Sequence, residues 1–243
     1  MTEPSVDADS ASNADTADED SAAARQPGSR LVDLVAVMDA LRVGCPWDAR
    51  QTHESLIPHL LEETYEAVDA LAAADQAAFR EELGDVLLQI VFHARVAQER
   101  NDGTGYTIDD VADEIISKLT RRHPHVFADV SVSGADEVKQ NWDAIKAAER
   151  AAATGGPVSS LAGVPMSQPA LSLAAQLVRR AARAGAPAEL ASLEGAERPV
   201  SELGRQLFAL AARAQAAGLD PELELRAAAR AYAEKVRDWE STQ

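Results

Sequence analysis

The sequence predicts an all-α fold, an antiparallel helical bundle. Three observations carry this. Apolar residues recur at three- and four-residue spacing along most of the chain, and no alternating strand pattern of useful length occurs. Helix-favouring Ala, Leu, Glu and Arg abound, whereas aromatics make up only 4% of the 243 residues, so the core is aliphatic. The connections between periodic segments are short, which makes neighbouring helices antiparallel.

Each element follows from its residues. Residues 1–30 are Ser-, Asp- and Ala-rich with almost no large apolar side chain, and are expected to form a disordered acidic tail. A first helix is predicted over 31–42, with Leu31, Leu34, Val35, Met38 and Leu41 at helical spacing. Gly44 and Pro46 end it. A second runs from about Leu56 to Ala73, and a third from about Gln76 to Glu99. The third turns Phe79, Leu83, Val86, Leu87, Ile90 and Val91 inward. Only a tight Ala-Ala-Asp turn joins the two. Thr107 and Asp110 form a capping box that opens a fourth helix, through about Arg122, and Pro124 stops it. The segment VFADVSV (126–132) is the one candidate for extended chain. A fifth helix spans about 135–153. TGGPVSS opens a linker over 154–164, and further helices are expected near 169–184, 200–217 and 221–239. The division is therefore 1–30, 31–153, 154–164 and 165–243.

Charge narrows the function. The chain carries 40 acidic and 23 basic residues, a net −17, which argues against a general nucleic-acid binder. The middle segment, 31–161, has 23 acids against 11 bases, whereas 162–243 is neutral. No stretch of about 18 apolar residues spans a membrane. The N-terminus does not read as a signal peptide, and Cys45 has no partner for an internal disulfide, so a cytoplasmic location is expected.

The chemistry concentrates on the second and third helices. Glu63 and Glu66 share one face at i,i+3, as do Glu82 and Asp85. Fifteen residues separate Glu66 from Glu82, enough for one helix end, a turn and a helix start, so the two pairs can face each other across the hairpin. Converging carboxylates repel and resist desolvation, so such a cluster needs a cation. Oxygen-only ligands favour a hard ion, Mg²⁺ or Mn²⁺. One such pair alone is usually a solvated face; two at matched heights are not. Gly84, inside the third helix, implies a need for a small side chain, through close helix approach or ligand access.

The chain here resembles the MazG-type nucleoside triphosphate pyrophosphohydrolases, of the all-α NTP pyrophosphatase superfamily. Glu62-Glu63-x-x-Glu66 followed by Glu82-x-x-Asp85 matches that family's signature. GCPWDARQTHESLIPHLLEETYEAVDAL, EELGDVLLQIVFHARVAQE, ISKLTRRHPHVF and the Trp142–Lys146 block are similar in order and spacing, over about residues 31–150. The resemblance implies a MazG-like bundle that cleaves an NTP to NMP and pyrophosphate with Mg²⁺, with Glu63, Glu66, Glu82 and Asp85 as metal ligands. It implies phosphate binding by Lys118 and Arg122, with Arg121 beside them, and places Trp142 and Lys146 near the nucleotide. Either Glu62 or Glu63 holds the attacking water or a second ion. Glu81 sits similarly beside Glu82 and is counted with the substrate-binding residues. The resemblance also implies a homodimer and nucleotide-pool house-cleaning.

Other chemistries find no support. There is no P-loop, no HExxH and no G-x-S-x-G elbow. A di-iron bundle needs Glu-x-x-His, and neither acidic pair has His at i+3. His123 and His125 sit at a helix stop. The competing reading is a non-enzymatic helical interaction module with an acidic surface.

The second half reads as a decayed repeat. Glu202-Leu-Gly-Arg205-Gln-Leu-Phe matches Glu82-Leu-Gly-Asp85-Val-Leu-Leu. Arg205 replaces the metal-ligand position, no Glu-Glu-x-x-Glu precedes it, and RRAARAGAPA (179–188) holds no acid. Residues 165–243 are expected to be a degenerate, inactive MazG-like region.

Overall fold

The computed structural model describes residues 26–154, 158–195 and 198–243. Most of the predicted tail, and residues 155–157 of the predicted linker, lie outside them. Among the described residues there are nine α-helices and no strand. They are α1 (Ser29–Gly44), α2 (His53–Ala72), α3 (Gln76–Ala97), α4 (Ile108–Arg122), α5 (Pro124–Phe127), α6 (Ala135–Thr154), α7 (Ala170–Arg183), α8 (Glu202–Ala216) and α9 (Pro221–Ser241). The chain divides into two compact units that meet in sequence at Arg121 and Arg122. This cut falls inside the 31–153 segment, so α6 shares a unit with α7–α9.

The first unit is organised by the α2–α3 hairpin, with α1 packed on α3. Asp75 caps α3, its Oδ1 accepting from the backbone N–H groups of Ala77 and Ala78 at 3.0 Å each. Ala74 closes α2 in the left-handed region, at φ 57°, a conformation that favours glycine. This turn fixes the register between the two acidic helices. The core comprises Met38, Leu56, Val91 and Phe92, with Leu34, Val35, Leu88, Val96 and Ile108 packed around it.

Arg42, 9% exposed, locks the far end. It donates to both Glu99 carboxylate oxygens, at 2.8 and 2.7 Å, and to the backbone carbonyls of Asp48 and Gln51. Arg95 joins Asp39 and Glu99. The 44–52 loop, which contains a short 3₁₀ turn at Asp48–Arg50, is thereby tied to α1 and α3.

Several sequence expectations shift. α2 begins at His53 rather than near Leu56, because Thr52 and Ser55 cap each other reciprocally, ahead of the apolar pattern. Pro124 does more than end α4. It opens the single-turn α5, whose fixed φ suits a first helical position. Val126 and Phe127 therefore lie in a helical turn, not in extended chain. Leu83 and Ile90, expected to face inward, are 48% and 42% exposed. They lie seven residues apart, on one stripe of α3. A Cβ on Gly84 would meet nothing within 4 Å, so close helix approach within the chain does not require that glycine.

In the second unit α7 packs on α8, and both pack on α9. Ala174, Ala175 and Ala211 are buried there. Ser201 caps α8 by accepting from Gly204 N–H at 3.0 Å, and Asp220 caps α9. A 3₁₀ turn at Ala188–Ser192, unforeseen in the periodicity, packs on α8.

Candidate metal centre

The hairpin brings the acidic pairs together. Carboxylate oxygens of Glu63 and Glu66 on α2 and Glu82 on α3 all lie within 4.8 Å of one another. Asp85, one turn beyond Glu82, is near enough to act on both Glu63 and Glu82. Three of the four residues predicted as ligands therefore share one locus, and Asp85 lies near enough to raise two of them electrostatically. The tight turn at Ala73–Asp75 and the two helix caps set that register.

The electrostatics are those of an uncompensated cluster. The Glu63 carboxyl is pushed up, first by loss of water around it, then by the charges of Asp85, Glu66 and Glu62. Glu82 is pushed up by desolvation and by Glu66, Asp85 and Glu63, and it shares a side-chain hydrogen bond with Glu66. Among the described residues no Lys or Arg makes an ion pair with any of the four. Oxygen donors at this spacing fit a hard divalent cation better than a softer one, for want of any Cys or His in the set.

The remaining candidates are distributed. Glu62 turns outward, 3.7 Å from His59 Nδ1, and Glu81 is exposed on α3. Lys118 lies on α4 of the same unit, its Nζ 3.7 Å from Glu114, and Arg121 is on its next turn. Arg122, Trp142 and Lys146 belong to the second unit. There Arg122 pairs with Glu149 at 2.7 Å and stacks over the Trp142 ring at 5.4 Å. His123 meets the same ring edge-on at 4.9 Å.

The sequence reading missed two residues. His59, one turn before Glu62 and Glu63, lowers the cost of the Glu63 charge. Its ring meets Trp47 edge-on at 5.9 Å, and Trp47 in turn meets Phe92 at 6.4 Å. Trp47 thus ties the 44–52 loop to the core beside the acidic helix. His59 was findable from its i,i+3 and i,i+4 spacing to Glu62 and Glu63. Arg42 was not, because its partners are 57 residues away or on the backbone.

The pattern of the MazG nucleotide pyrophosphohydrolase domain matches residues 51–127, which hold all four carboxylates. The chain is similar to an uncharacterized 26.1 kDa protein in the blaB 3′ region of Streptomyces cacaoi, 47% identical over 211 residues, covering 87% of this chain and 83% of that one. It is 48% identical over 153 residues to a nucleoside triphosphate pyrophosphohydrolase of Mycolicibacterium smegmatis, covering 63% of this chain and 46% of that one. A nucleoside triphosphate pyrophosphohydrolase of Escherichia coli K12 is 44% identical over 147 residues, covering 59% and 54%. The chain spans about half the length of these two named enzymes.

Proposed function

This chain belongs to the MazG family, and from that premise we propose that it hydrolyses nucleoside triphosphates to nucleoside monophosphate and pyrophosphate. The observation that carries the reading is the facing of Glu63 and Glu66 against Glu82 and Asp85, four carboxylates with no cation of the protein's own among them. These four would hold Mg²⁺, with Mn²⁺ as the other hard ion the donor set accepts. Bound there, the ion supplies positive charge to an anionic polyphosphate and acidifies water.

The chain's residues do the rest. Glu62 or Glu63 takes the proton of the attacking water, whose oxygen forms a new bond to phosphorus as the α–β phosphoanhydride breaks and pyrophosphate leaves. Glu62 suits this role because it lies outside the cluster and beside His59. Lys118, Arg121 and Arg122 supply donors to phosphate oxygens, Trp142 and Lys146 flank the nucleotide, and Glu81 lines the approach. Nucleotide-pool house-cleaning in the cytoplasm goes with this reading. The test is pyrophosphate release from each common NTP and dNTP with Mg²⁺, with Mn²⁺ and with chelator. Metal-independent release, or none with any nucleotide, would refute it.

We also propose a homodimer. Ile57, Leu61, Leu83 and Ile90 on the hairpin are exposed. α4 buries no residue although Val111, Ile115 and Leu119 form a stripe. Apolar rows of this extent favour a second copy as cover. A monomeric mass by light scattering at micromolar concentration, with full activity, would overturn this. Residues 165–243 are read as a degenerate repeat without chemistry. The pairing of α7 with α8, and Arg205 bound to Glu202, support that reading.

A further inference from the structure

Two histidines face each other between the start of α2 and the second half of α3. His53 is the first residue of α2, directly after the Thr52 cap, and His93 lies 40 residues on, in α3. Their Nδ1 atoms are hydrogen-bonded at 2.9 Å. The ring planes differ by 4° and the centroids are 5.2 Å apart. The centroid separation exceeds the Nδ1 contact by one ring width, so the rings meet end to end and hold one hydrogen between them. Both residues are half-buried, and they flank the core residues Leu56 and Phe92. On its far side, His93 Nε2 is enclosed and has no hydrogen-bond partner. Gln89, one turn earlier on α3, is buried and its Oε1 is also without a partner, so no bond joins these two.

The neutral pair is satisfied in one arrangement. His93 donates its Nδ1–H to a bare His53 Nδ1, and His93 Nε2 stays bare. The reverse tautomers would put a hydrogen on His93 Nε2, which has no acceptor. A further proton meets the same obstacle. If His93 takes it, the hydrogen sits on Nε2. If His53 takes it and donates to His93, the hydrogen of His93 must again move to Nε2. Every cation that keeps the contact therefore leaves a buried N–H unpaired, which is costly. Protonation of His53 Nδ1 against the His93 Nδ1–H breaks the contact instead.

Position opposes the charge as well, because His53 opens α2, where the helix dipole disfavours a cation. Charged neighbours come from three elements. Glu54 stands beside His53 on α2, and Arg100, past the end of α3, acts on Glu54. Arg42 of α1, bound to Glu99, holds the Gln51 carbonyl two residues before His53. Arg95, two residues beyond His93, is taken by Asp39 and Glu99. His93 accordingly takes a proton less readily than an ordinary histidine, through burial first and the facing His53 second.

We propose that the His53–His93 contact is a proton-operated latch, which holds the first turn of α2 on α3 at neutral pH and opens reversibly as pH falls below the ordinary histidine range. The latch does not rest on the hydrolytic reading, since neither histidine belongs to the carboxylate cluster.

The test is nuclear magnetic resonance on the full chain without metal. Imidazole ¹⁵N spectra from about pH 7.5 to about pH 5 should show His53 and His93 as opposite neutral tautomers. Both should resist protonation to lower pH than the other three of the chain's five histidines. Over the same range the exchange protection of the Leu56 and Ile57 amides, in the first turn of α2, should fall about tenfold or more. His53→Asn puts an acceptor that cannot take a proton near the place of Nδ1, and should remove most of that fall. His93→Gln supplies a second variant should the first melt early. Titration of both histidines at the ordinary value overturns the proposal. So does a loss of protection that persists undiminished in both variants.

Discussion

Glu82-Leu83-Gly84-Asp85 in α3 and Glu202-Leu203-Gly204-Arg205 in α8 differ only in the last residue, yet their glutamates are in opposite states. Glu82 faces carboxylates, and its proton is held more tightly than usual. Glu202 binds Arg205 at 2.6 Å and accepts from Gln206 at 3.0 Å, and its carboxyl is pushed down. Position separates them too. Glu82 lies well inside α3, opposite another acidic helix, whereas Glu202 is the first residue of α8, beside its Ser201 cap. The glycines diverge likewise: a Cβ on Gly84 meets open space, while one on Gly204 would touch Ser201 and Val200 at 3.2 Å. A tetrapeptide of this kind can serve as the proposed cation seat only where a second element supplies unpaired acids. An arginine in the fourth place converts it into a self-neutralised helix start.

The largest expected effect breaks the comparison most directly. Glu82→Gln should lower Mg²⁺-dependent pyrophosphate release by about 100-fold or more, because it removes charge from the cation seat. Glu63→Ala, Glu66→Ala and Asp85→Ala should do the same, and Glu202→Gln should leave turnover intact. Steady-state assays of the five variants decide this. High activity in the Glu82 variant, or loss in the Glu202 variant, would mean that the two motifs are not divided as described.

A structural prediction of intermediate size concerns the frame behind the seat. Glu99→Ala leaves the buried Arg42 guanidinium without its carboxylate and should cost about 1.5–3 kcal/mol, read by urea denaturation. Because Arg42 holds Glu99 below the usual carboxylate range, that contribution is present above the ordinary glutamate pKa. It disappears as pH falls through the lowered value. The variant should therefore lose most at neutral pH and converge on wild type in acid.

The two motifs should also titrate with opposite sign. The raised carboxyls of Glu63 and Glu82 favour the metal-free fold fully below the ordinary glutamate range. That contribution is lost as pH rises through their raised values. Glu82→Gln should then raise the melting temperature in EDTA at pH 7, with the gain fading in acid. Glu202, whose carboxyl is lowered, contributes above its ordinary range, so Glu202→Gln should melt slightly lower at pH 7. Shifts of the same sign in both variants would contradict the contrast.

The smallest effects test the turn and the glycine. Ala74→Gly relieves a left-handed alanine and should stabilise by about 1 kcal/mol. Gly84→Ala, in open space within a helix, should stabilise the isolated chain by about the same amount. Destabilisation of Gly84→Ala at concentrations where the chain self-associates would show that another surface covers Gly84.

The sequence by itself determined the all-α class, the helices to within a few residues, and the two acidic pairs that meet. Spacing of three and four residues places side chains on a helix face, and a three-residue turn leaves little freedom in how two helices align. It also marked Arg205 as out of place in a carboxylate motif. Tertiary structure alone decided which apolar residues are covered, because Leu83 and Ile90 obey the same periodicity as Val91 but stay exposed. It alone paired Arg42 with Glu99 and sent Glu149 to Arg122. Periodicity records which residues share a helix face; which face meets what depends on contacts between residues far apart in the chain.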